Sequence, residues 1–96
     1  MISYEKFKSI FDKLNGEPEV TFVYSTGEKY MLIKYANYVT YTKFNSEEEV
    51  KFESLDFLYN TVLINDWDNI SDIIVDEMYS VNTDMEQLID FCNNFN

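Results

Sequence analysis

Apolar residues near the start of the chain recur at helical spacing. Phe7, Ile10, Phe11 and Leu14 follow the i, i+3, i+4, i+7 pattern of one buried helix face. Ser3 stands before them as an N-cap, and Gly16 and Pro18 follow them as a stop signal. The pattern predicts a first helix over roughly residues 4–15.

The next stretch changes to a β pattern. Residues 20–24 alternate between two faces, residues 30–35 are apolar on both faces, and residues 39–44 are rich in β-branched and aromatic side chains. Thr26-Gly27 and Ala36-Asn37 separate these runs as tight turns. Such short connections join only antiparallel neighbours, so the pattern predicts a three-stranded meander. Residues 50–52 are a candidate for a short fourth strand.

Helical spacing returns after the predicted strands. Ser54 is a predicted N-cap, and the buried stripe of this second helix comprises Leu55, Leu58, Tyr59 and Val62. Residues 65–69 form a turn-rich break. A third helix is predicted to begin between residues 68 and 71, with Ile70, Ile73, Ile74 and Val81 facing inward.

A capping box marks the start of a last helix. The side chain of Thr83 can accept a hydrogen bond from the backbone N–H of Glu86, and the side chain of Glu86 can accept one from the backbone N–H of Thr83. Met85, Leu88, Ile89 and Cys92 share one side of this helix. Together the elements predict an α+β fold: an N-terminal helix, a three- to four-stranded antiparallel meander, and two to three C-terminal helices packed on the sheet. Residues 1–96 are expected to form a single domain.

Composition narrows the function classes. Apolar residues make up 46% and aromatic residues 18% of the chain, which argues for a packed core. The chain has no histidine and no arginine, and its two glycines cannot build a phosphate-binding loop. A catalytic triad and a transition-metal centre therefore lack their usual residues. We expect a protein that is not an enzyme and has no cofactor.

Cysteine usage and hydropathy indicate the compartment. Cys92 is the single cysteine, so no internal disulfide can form, and a core thiol is the favoured interpretation. No leader sequence or membrane span is predicted, because charges interrupt the apolar runs throughout. We therefore expect a cytoplasmic location.

Charge is distributed unevenly along the chain. Residues 1–51 hold eight acids and seven lysines, whereas residues 52–96 hold ten acids and no basic residue. The net charge of -11 thus belongs almost entirely to the C-terminal half. Such a protein repels nucleic acid and anionic lipid, so it is predicted to bind neither directly. A basic partner protein suits it better.

The predicted third helix concentrates these acids further. Asp68, Asp72 and Asp76 recur at i, i+4 and i+8, and like charges at this spacing destabilise a helix. A local conflict of this kind favours a functional interpretation. The predicted partner-binding residues are Glu47, Glu48, Glu49, Asp66, Asp68, Asp72, Asp76 and Glu77. Asp84, Glu86 and Asp90 form a further acidic group. The alternative is an acidic face that only meets solvent.

Two catalytic or metal-binding interpretations fit the sequence less well. Asp66, Asp68, Asp72 and Glu77 match four positions of a calcium-binding EF-hand loop, but Ile70 and Ser71 replace the oxygen ligand and the glycine that this loop requires. No metal site is therefore predicted. Paired carboxylates of a glycosidase would need a sugar cleft, for which a chain of 96 residues has little room.

Aromatic residues offer a different kind of surface. Tyr30, Tyr35, Tyr38 and Tyr41 can be partly exposed on the sheet. Nucleic-acid bases would stack on them only if basic residues held the nucleic-acid backbone, and Lys29, Lys34 and Lys43 are outnumbered by acids in the chain overall. Tyrosine anchors in a protein interface are better supported. Trp67 is predicted to be buried or half-buried.

An acid-rich turn surrounds this tryptophan after a helix, in the sequence Asn65-Asp66-Trp67-Asp68. In this turn, in its acidity and in its element order, the chain resembles the phage-encoded anti-CRISPR inhibitors of type II-A effector nucleases. The resemblance covers most of the chain. It implies a DNA mimic whose carboxylates enter the DNA-reading groove of the nuclease, in the cytoplasm of the host cell.

These observations lead to two hypotheses of function. The first is a non-enzymatic inhibitor whose acidic surface occupies the basic nucleic-acid-binding groove of a target protein, such as a CRISPR effector nuclease. Each carboxylate would replace a backbone phosphate. The second is a small interaction module, such as an immunity protein or adaptor, that binds its partner through exposed aromatic residues.

Overall fold

The computed structural model describes residues 2–14 and 16–76. The elements are helix α1 (Tyr4–Lys13), strands β1 (Glu19–Tyr24), β2 (Lys29–Lys34), β3 (Val39–Lys43) and β4 (Lys51–Phe52), helix α2 (Leu55–Leu58), a wide π-type turn (Tyr59–Leu63), helix α3 (Ile64–Asp66), a 3-10 turn (Trp67–Asn69) and strand β5 (Ile70–Asp76). We call residues 55–69 the helical segment. Val81, the predicted capping box at Thr83 and Glu86, the predicted last helix and Cys92 lie outside the described residues.

Helix α1 begins where the sequence predicts. The hydroxyl of Ser3 accepts from the backbone N–H of Lys6 at 3.2 Å, which confirms the N-cap. At the other end, the ammonium group of Lys34 donates to three backbone carbonyls, those of Phe11, Asp12 and Leu14, at 2.9 to 3.1 Å. A lysine of β2 thus caps the last carbonyls of the helix, of which that of Phe11 also accepts from the N–H of Leu14.

All strands of the sheet are antiparallel, in the order β4-β3-β2-β1-β5. Gly27 has a φ of 93°, which a glycine adopts readily, in the turn between β1 and β2. The turn between β2 and β3 closes with a 2.9 Å bond from the N–H of Tyr35 to the carbonyl of Tyr38. The predicted meander and its fourth strand are confirmed, and a fifth strand extends the sheet beyond β1.

The predicted third helix is wrong, because residues 70–76 form strand β5. This strand pairs with β1 in a register that places Ile73 opposite Phe22 and Val75 opposite Val20. Side chains of neighbouring strand residues point to opposite faces. Ile73 is accordingly buried, whereas Ile74, which a helix would have turned inward, is 50% exposed.

A β-bulge explains why the sequence suggests a helix here. The register shifts so that Val23 lies opposite Asp72 while Tyr24 lies opposite Ile70, which leaves Ser71 as the extra residue. The hydroxyl of Ser71 donates to the carbonyl of Val23 at 3.1 Å. The bulge separates two inward-facing isoleucines by three positions, and this spacing imitates a helical stripe.

The core lies between one face of the sheet, α1 and the helical segment. We call this the inner face. Its fully buried side chains include Phe7, Phe22, Leu32, Leu58 and Leu63. Trp67 lies among Tyr4, Phe7, Phe22 and Tyr59, with ring-centroid distances of 5.6 to 6.1 Å. It is 8% exposed, which confirms the prediction that it is buried.

The helical segment differs from the prediction in its extent. Ser54 caps it, accepting from the N–H of Phe57 at 3.0 Å, as predicted. Helical backbone continues through residues 65–69, where the sequence predicts a break, with a π-type turn at Tyr59–Leu63 and a 3-10 turn at its end. Leu63 is buried, so packing against the sheet stabilises a segment whose local sequence favours turns.

Candidate functional site

One end of the sheet gathers much of the predicted acidic set. The turn between β1 and β2, the loop from Phe44 to Val50 and the 3-10 turn all join the sheet at this end, because the N–H of Phe44 donates to the carbonyl of Lys29 and that of Ser25 to the carbonyl of Asn69. We call this the acidic end and define it by Glu28, Glu47, Glu48, Asp66 and Asp68. From β3 to β5 it spans three strand spacings, about 14 Å.

The side chains of the acidic end differ in exposure. Glu47, Glu48 and Asp68 are exposed, whereas Asp66 is half-buried. Lys43 approaches Glu28 at 3.9 Å, so one carboxylate at this end lies beside a lysine. The exposed carboxylates are therefore presented from loops and turns rather than from the helix that the sequence predicts.

The predicted helical stripe of Asp68, Asp72 and Asp76 does not exist. Asp68 lies in the 3-10 turn, and the other two lie in β5. Asp76 pairs opposite Glu19, at the far end of the sheet from Asp68. The like-charge conflict inferred from helical spacing is absent because a strand separates residues i and i+4 by about 13 Å. Glu77 lies outside the described residues.

Three of the predicted acids have partners within the fold. Both carboxylate oxygens of Glu49 accept from the hydroxyl of Tyr35 at 3.2 Å. One oxygen of Asp72 accepts from the N–H of Ile73 at 2.9 Å, on a strand at the edge of the described sheet. The negative charge of Asp66 contributes to a raised pKa at the hydroxyl of Tyr24. Part of the acidic half thus serves the fold itself.

Asp56, which the sequence does not single out, links two elements. It accepts from the hydroxyl of Tyr4 and from the ammonium group of Lys8, both at 2.6 Å. Those two hydrogen bonds hold the pKa of Asp56 below its usual value. The same contact, after burial, raises the pKa of Tyr4 well above its usual range. The arrangement fastens α1 to α2.

A tyrosine cluster lies under the acidic end. The hydroxyls of Tyr24 and Tyr41 are 2.6 Å apart, and the ring of Tyr41 stacks on that of Tyr30 at 4.9 Å. Burial raises the pKa of Tyr24 to about 12, with the Tyr41 hydrogen bond opposing it and the charge of Asp66 adding to it. Tyr41 is 4% exposed, so the expectation that it is partly exposed is wrong. Its hydroxyl is engaged within the fold, in the hydrogen bond with the hydroxyl of Tyr24.

The opposite face of the sheet, which we call the outer face, presents side chains that sequence reasoning did not select. Strand alternation puts Thr21, Met31, Ile33, Thr42 and Ile74 there. None of the described helices packs on this face, since α1 and the helical segment both cover the inner one. Phe44 and Ile74 are 37% and 50% exposed. A sequence feature that indicates this surface is that residues 30–35 carry apolar side chains on both faces of the predicted strand.

Two tyrosines border the outer face. The rings of Tyr35 and Tyr38 stack with centroids 4.8 Å apart, and the ammonium group of Lys51 lies 4.0 Å from the Tyr38 ring. Burial, followed by the charge of Glu49 and its hydrogen bond, raises the pKa of Tyr35 to about 12. Both rings are half-buried, which agrees with the expected partial exposure.

The described residues contain neither a cluster of metal-binding side chains nor a membrane-spanning helix. In residues 2–14 and 16–76 no three histidine, cysteine, aspartate or glutamate side chains come close enough together to hold a metal ion. No helix within that part of the chain has the length and apolar character to cross a membrane. The EF-hand interpretation also fails on geometry, because Ile70 begins a strand where the calcium loop would have to turn.

Comparison with protein-family models, with curated proteins and with solved structures finds no match to this chain.

Proposed function

We propose that this chain is a non-enzymatic inhibitor that occupies the basic, nucleic-acid-binding surface of a partner protein. The observation that carries the proposal is the exposure of Glu47, Glu48 and Asp68 at one end of the sheet. A net charge of -11 makes a basic partner the favoured one. A CRISPR effector nuclease is the first candidate for that partner.

Electrostatics supports this function in two ways. Carboxylates on a folded scaffold are preorganised, so they can replace phosphates at a lysine- or arginine-rich groove with little loss of conformational freedom. A protein of this charge also attracts a basic partner over several ångströms, which accelerates association. Binding should therefore weaken steeply as salt is added.

The test is displacement of duplex DNA from basic nucleases, including a guide-loaded type II-A CRISPR effector, followed by fluorescence anisotropy. The variant Glu47→Gln, Glu48→Gln, Asp68→Asn removes three exposed charges from the acidic end. We expect its inhibition constant to rise about threefold to a hundredfold, since each of the three exposed ion pairs contributes about 0.2–1 kcal/mol. The wild-type constant should rise several-fold between low and physiological salt.

A matched variant controls for net charge. Asp12, Glu17 and Glu53 are exposed and lie at the other end of the sheet, where α1 ends, β1 begins and β4 ends. Changing these three to their amides removes the same charge and should alter inhibition less than threefold. Equal increases in the inhibition constants of the two variants would mean that net charge alone, and not the acidic end, determines inhibition. Inhibition of no enzyme in the panel would count against the function.

The outer face favours a second candidate, an interaction module that binds through apolar and aromatic side chains. Exposed Phe44 and Ile74, with the Tyr35–Tyr38 stack, offer the kind of anchor that protein interfaces use. In that case Phe44→Ser combined with Ile74→Ser should abolish partner binding while the triple acid variant retains it. Both substitutions lie at exposed positions, so the fold should persist.

A further inference from the structure

A groove opens on the outer face beside the loop between β3 and β4. Its volume is about 280 Å³. Met31, Ile33 and Thr42 form the floor, because alternation along β2 and β3 brings them to this face. The loop forms the wall, with Phe44 and Glu49 on it. The groove is therefore apolar below and carries a carboxylate on its wall.

The wall is held in place by hydrogen bonds to the sheet. The N–H of Phe44 donates to the carbonyl of Lys29 at 3.0 Å, and that of Val50 to the hydroxyl of Thr42 at 2.8 Å. Asn45 takes a left-handed φ of 69°, which turns the loop back toward the sheet. The groove thus exists without a ligand and needs little rearrangement to receive one.

Tyr35 orients the carboxylate of Glu49 through hydrogen bonds that do not neutralise its negative charge. The hydroxyl of Tyr35 donates to both carboxylate oxygens at 3.2 Å. That hydroxyl is protonated at neutral pH, as in any tyrosine, so it remains a donor. Lys43 also lines the groove, but its ammonium approaches Glu28 at 3.9 Å, and the ammonium of Lys51 lies over the Tyr38 ring.

We infer that this groove receives an arginine side chain of the partner protein. This inference rests on the proposed function, which supplies a basic partner. The methylene stem of an arginine would cover the half-buried Met31, beside the buried Ile33, and its guanidinium would meet the two oxygens of Glu49. Arginine suits the groove better than lysine because its planar fork matches a carboxylate and can also stack on the exposed Phe44 ring.

A small probe tests the groove without the partner. N-acetyl-arginine amide carries the arginine side chain, and N-acetyl-citrulline amide has the same shape without the charge. We expect the arginine probe to shift the NMR signals of the Met31 methyl group and of the Phe44 and Glu49 amides saturably, at millimolar concentration. The citrulline probe should bind at least fivefold more weakly. Equal binding of the two probes would overturn the inference.

Two single variants locate the binding. Glu49→Gln keeps a hydrogen-bond acceptor for Tyr35, so the fold should persist, and binding of the arginine probe should fall at least fivefold. Glu53→Gln removes an equal charge at an exposed position just after β4, outside the groove, and should leave the probe affinity within twofold. Unchanged affinity in Glu49→Gln, or shifts confined to the residues of the acidic end, would overturn the inference.

The two proposals fail in different experiments. Binding of the arginine probe together with no displacement of DNA from any nuclease would overturn the inhibitor function and leave the groove as an arginine site. Displacement of DNA by a chain that does not bind the probe would overturn the groove and leave the inhibitor function standing.

Discussion

At the scale of single residues, Trp67 links three parts of the core. Its indole N–H donates to the backbone carbonyl of Ile2 at 3.0 Å in a buried position, and its ring contacts aromatic residues of α1, β1 and the π-type turn. The N-terminal residues, the helical segment and the sheet therefore meet at one side chain.

Trp67→Phe should destabilise the protein by about 2 kcal/mol. The substitution leaves the buried carbonyl of Ile2 without its donor and removes part of the packed ring. Urea denaturation followed by circular dichroism measures the change. Phe57→Leu is the matched control, because Phe57 is 45% exposed and its change should stay within about 0.5 kcal/mol. Similar losses in both variants would contradict the central role of Trp67.

At the scale of elements, β5 shows how a local pattern can mislead. Ile70, Ile73 and Ile74 have the spacing of a helix face, yet the chain is extended. Pairing with β1 satisfies the backbone groups that the two strands turn toward each other and buries Ile73 against the inner-face core. The partner strand lies about 50 residues earlier in the chain, so no window of neighbouring residues contains this information.

Substitutions at the two adjacent isoleucines separate the strand from the helix. Ile73 is 2% exposed and Ile74 is 50% exposed. We expect Ile73→Ala to lower the free energy of unfolding by about 3 kcal/mol, since it leaves a cavity, and Ile74→Ala to lower it by less than about 1 kcal/mol. Denaturant titration of both variants measures the difference. Equally large losses would agree with a helix that buries both residues and would contradict the strand.

For the whole molecule, burial of tyrosines sets the alkaline limit of stability. The pKa values of Tyr4 and Tyr41 are raised well above the usual range, chiefly by burial, and Tyr24 and Tyr35 are raised to about 12. A tyrosine in the unfolded chain ionises near pH 10. Below pH 10 the folded state keeps the full stability, and above it the unfolded state is favoured increasingly.

We expect the protein to unfold between about pH 10 and 12. Each hydroxyl that ionises only in the unfolded chain removes about 1.4 kcal/mol per pH unit, and domains are stable by only about 5–15 kcal/mol. Tyrosinate absorbance at 295 nm and far-ultraviolet circular dichroism should therefore change together. Ionisation of all tyrosines near pH 10 with the dichroism unchanged would contradict this account.

The acidic surface also belongs to the whole molecule. The sequence places acids in the C-terminal half, but only the sheet brings the loop of Glu47 and Glu48 to the same end as Asp68. It also gives Asp56, Asp66 and Asp72 contacts within the fold. Linear clustering of charge is therefore a poor guide to a surface when the residues occupy different strands.

The sequence by itself determines the elements whose signals are local. The hydroxyl of Ser3 caps a helix within its own first turn, and the glycine at position 27 permits a turn within four residues. The excess of acids is likewise a property of composition alone. These features require no knowledge of distant parts of the chain, because each depends on neighbouring residues or on a count.

Tertiary structure alone decides the identity of β5, the separation of Asp68 from Asp76 and the groove beside Glu49. Each depends on which strand lies beside which, and that choice is made by hydrogen bonding and burial between residues far apart in the chain. The same isoleucines and aspartates have the spacing of a helical stripe. Because the edge of β1 is available for pairing, this segment instead forms a strand with one buried face.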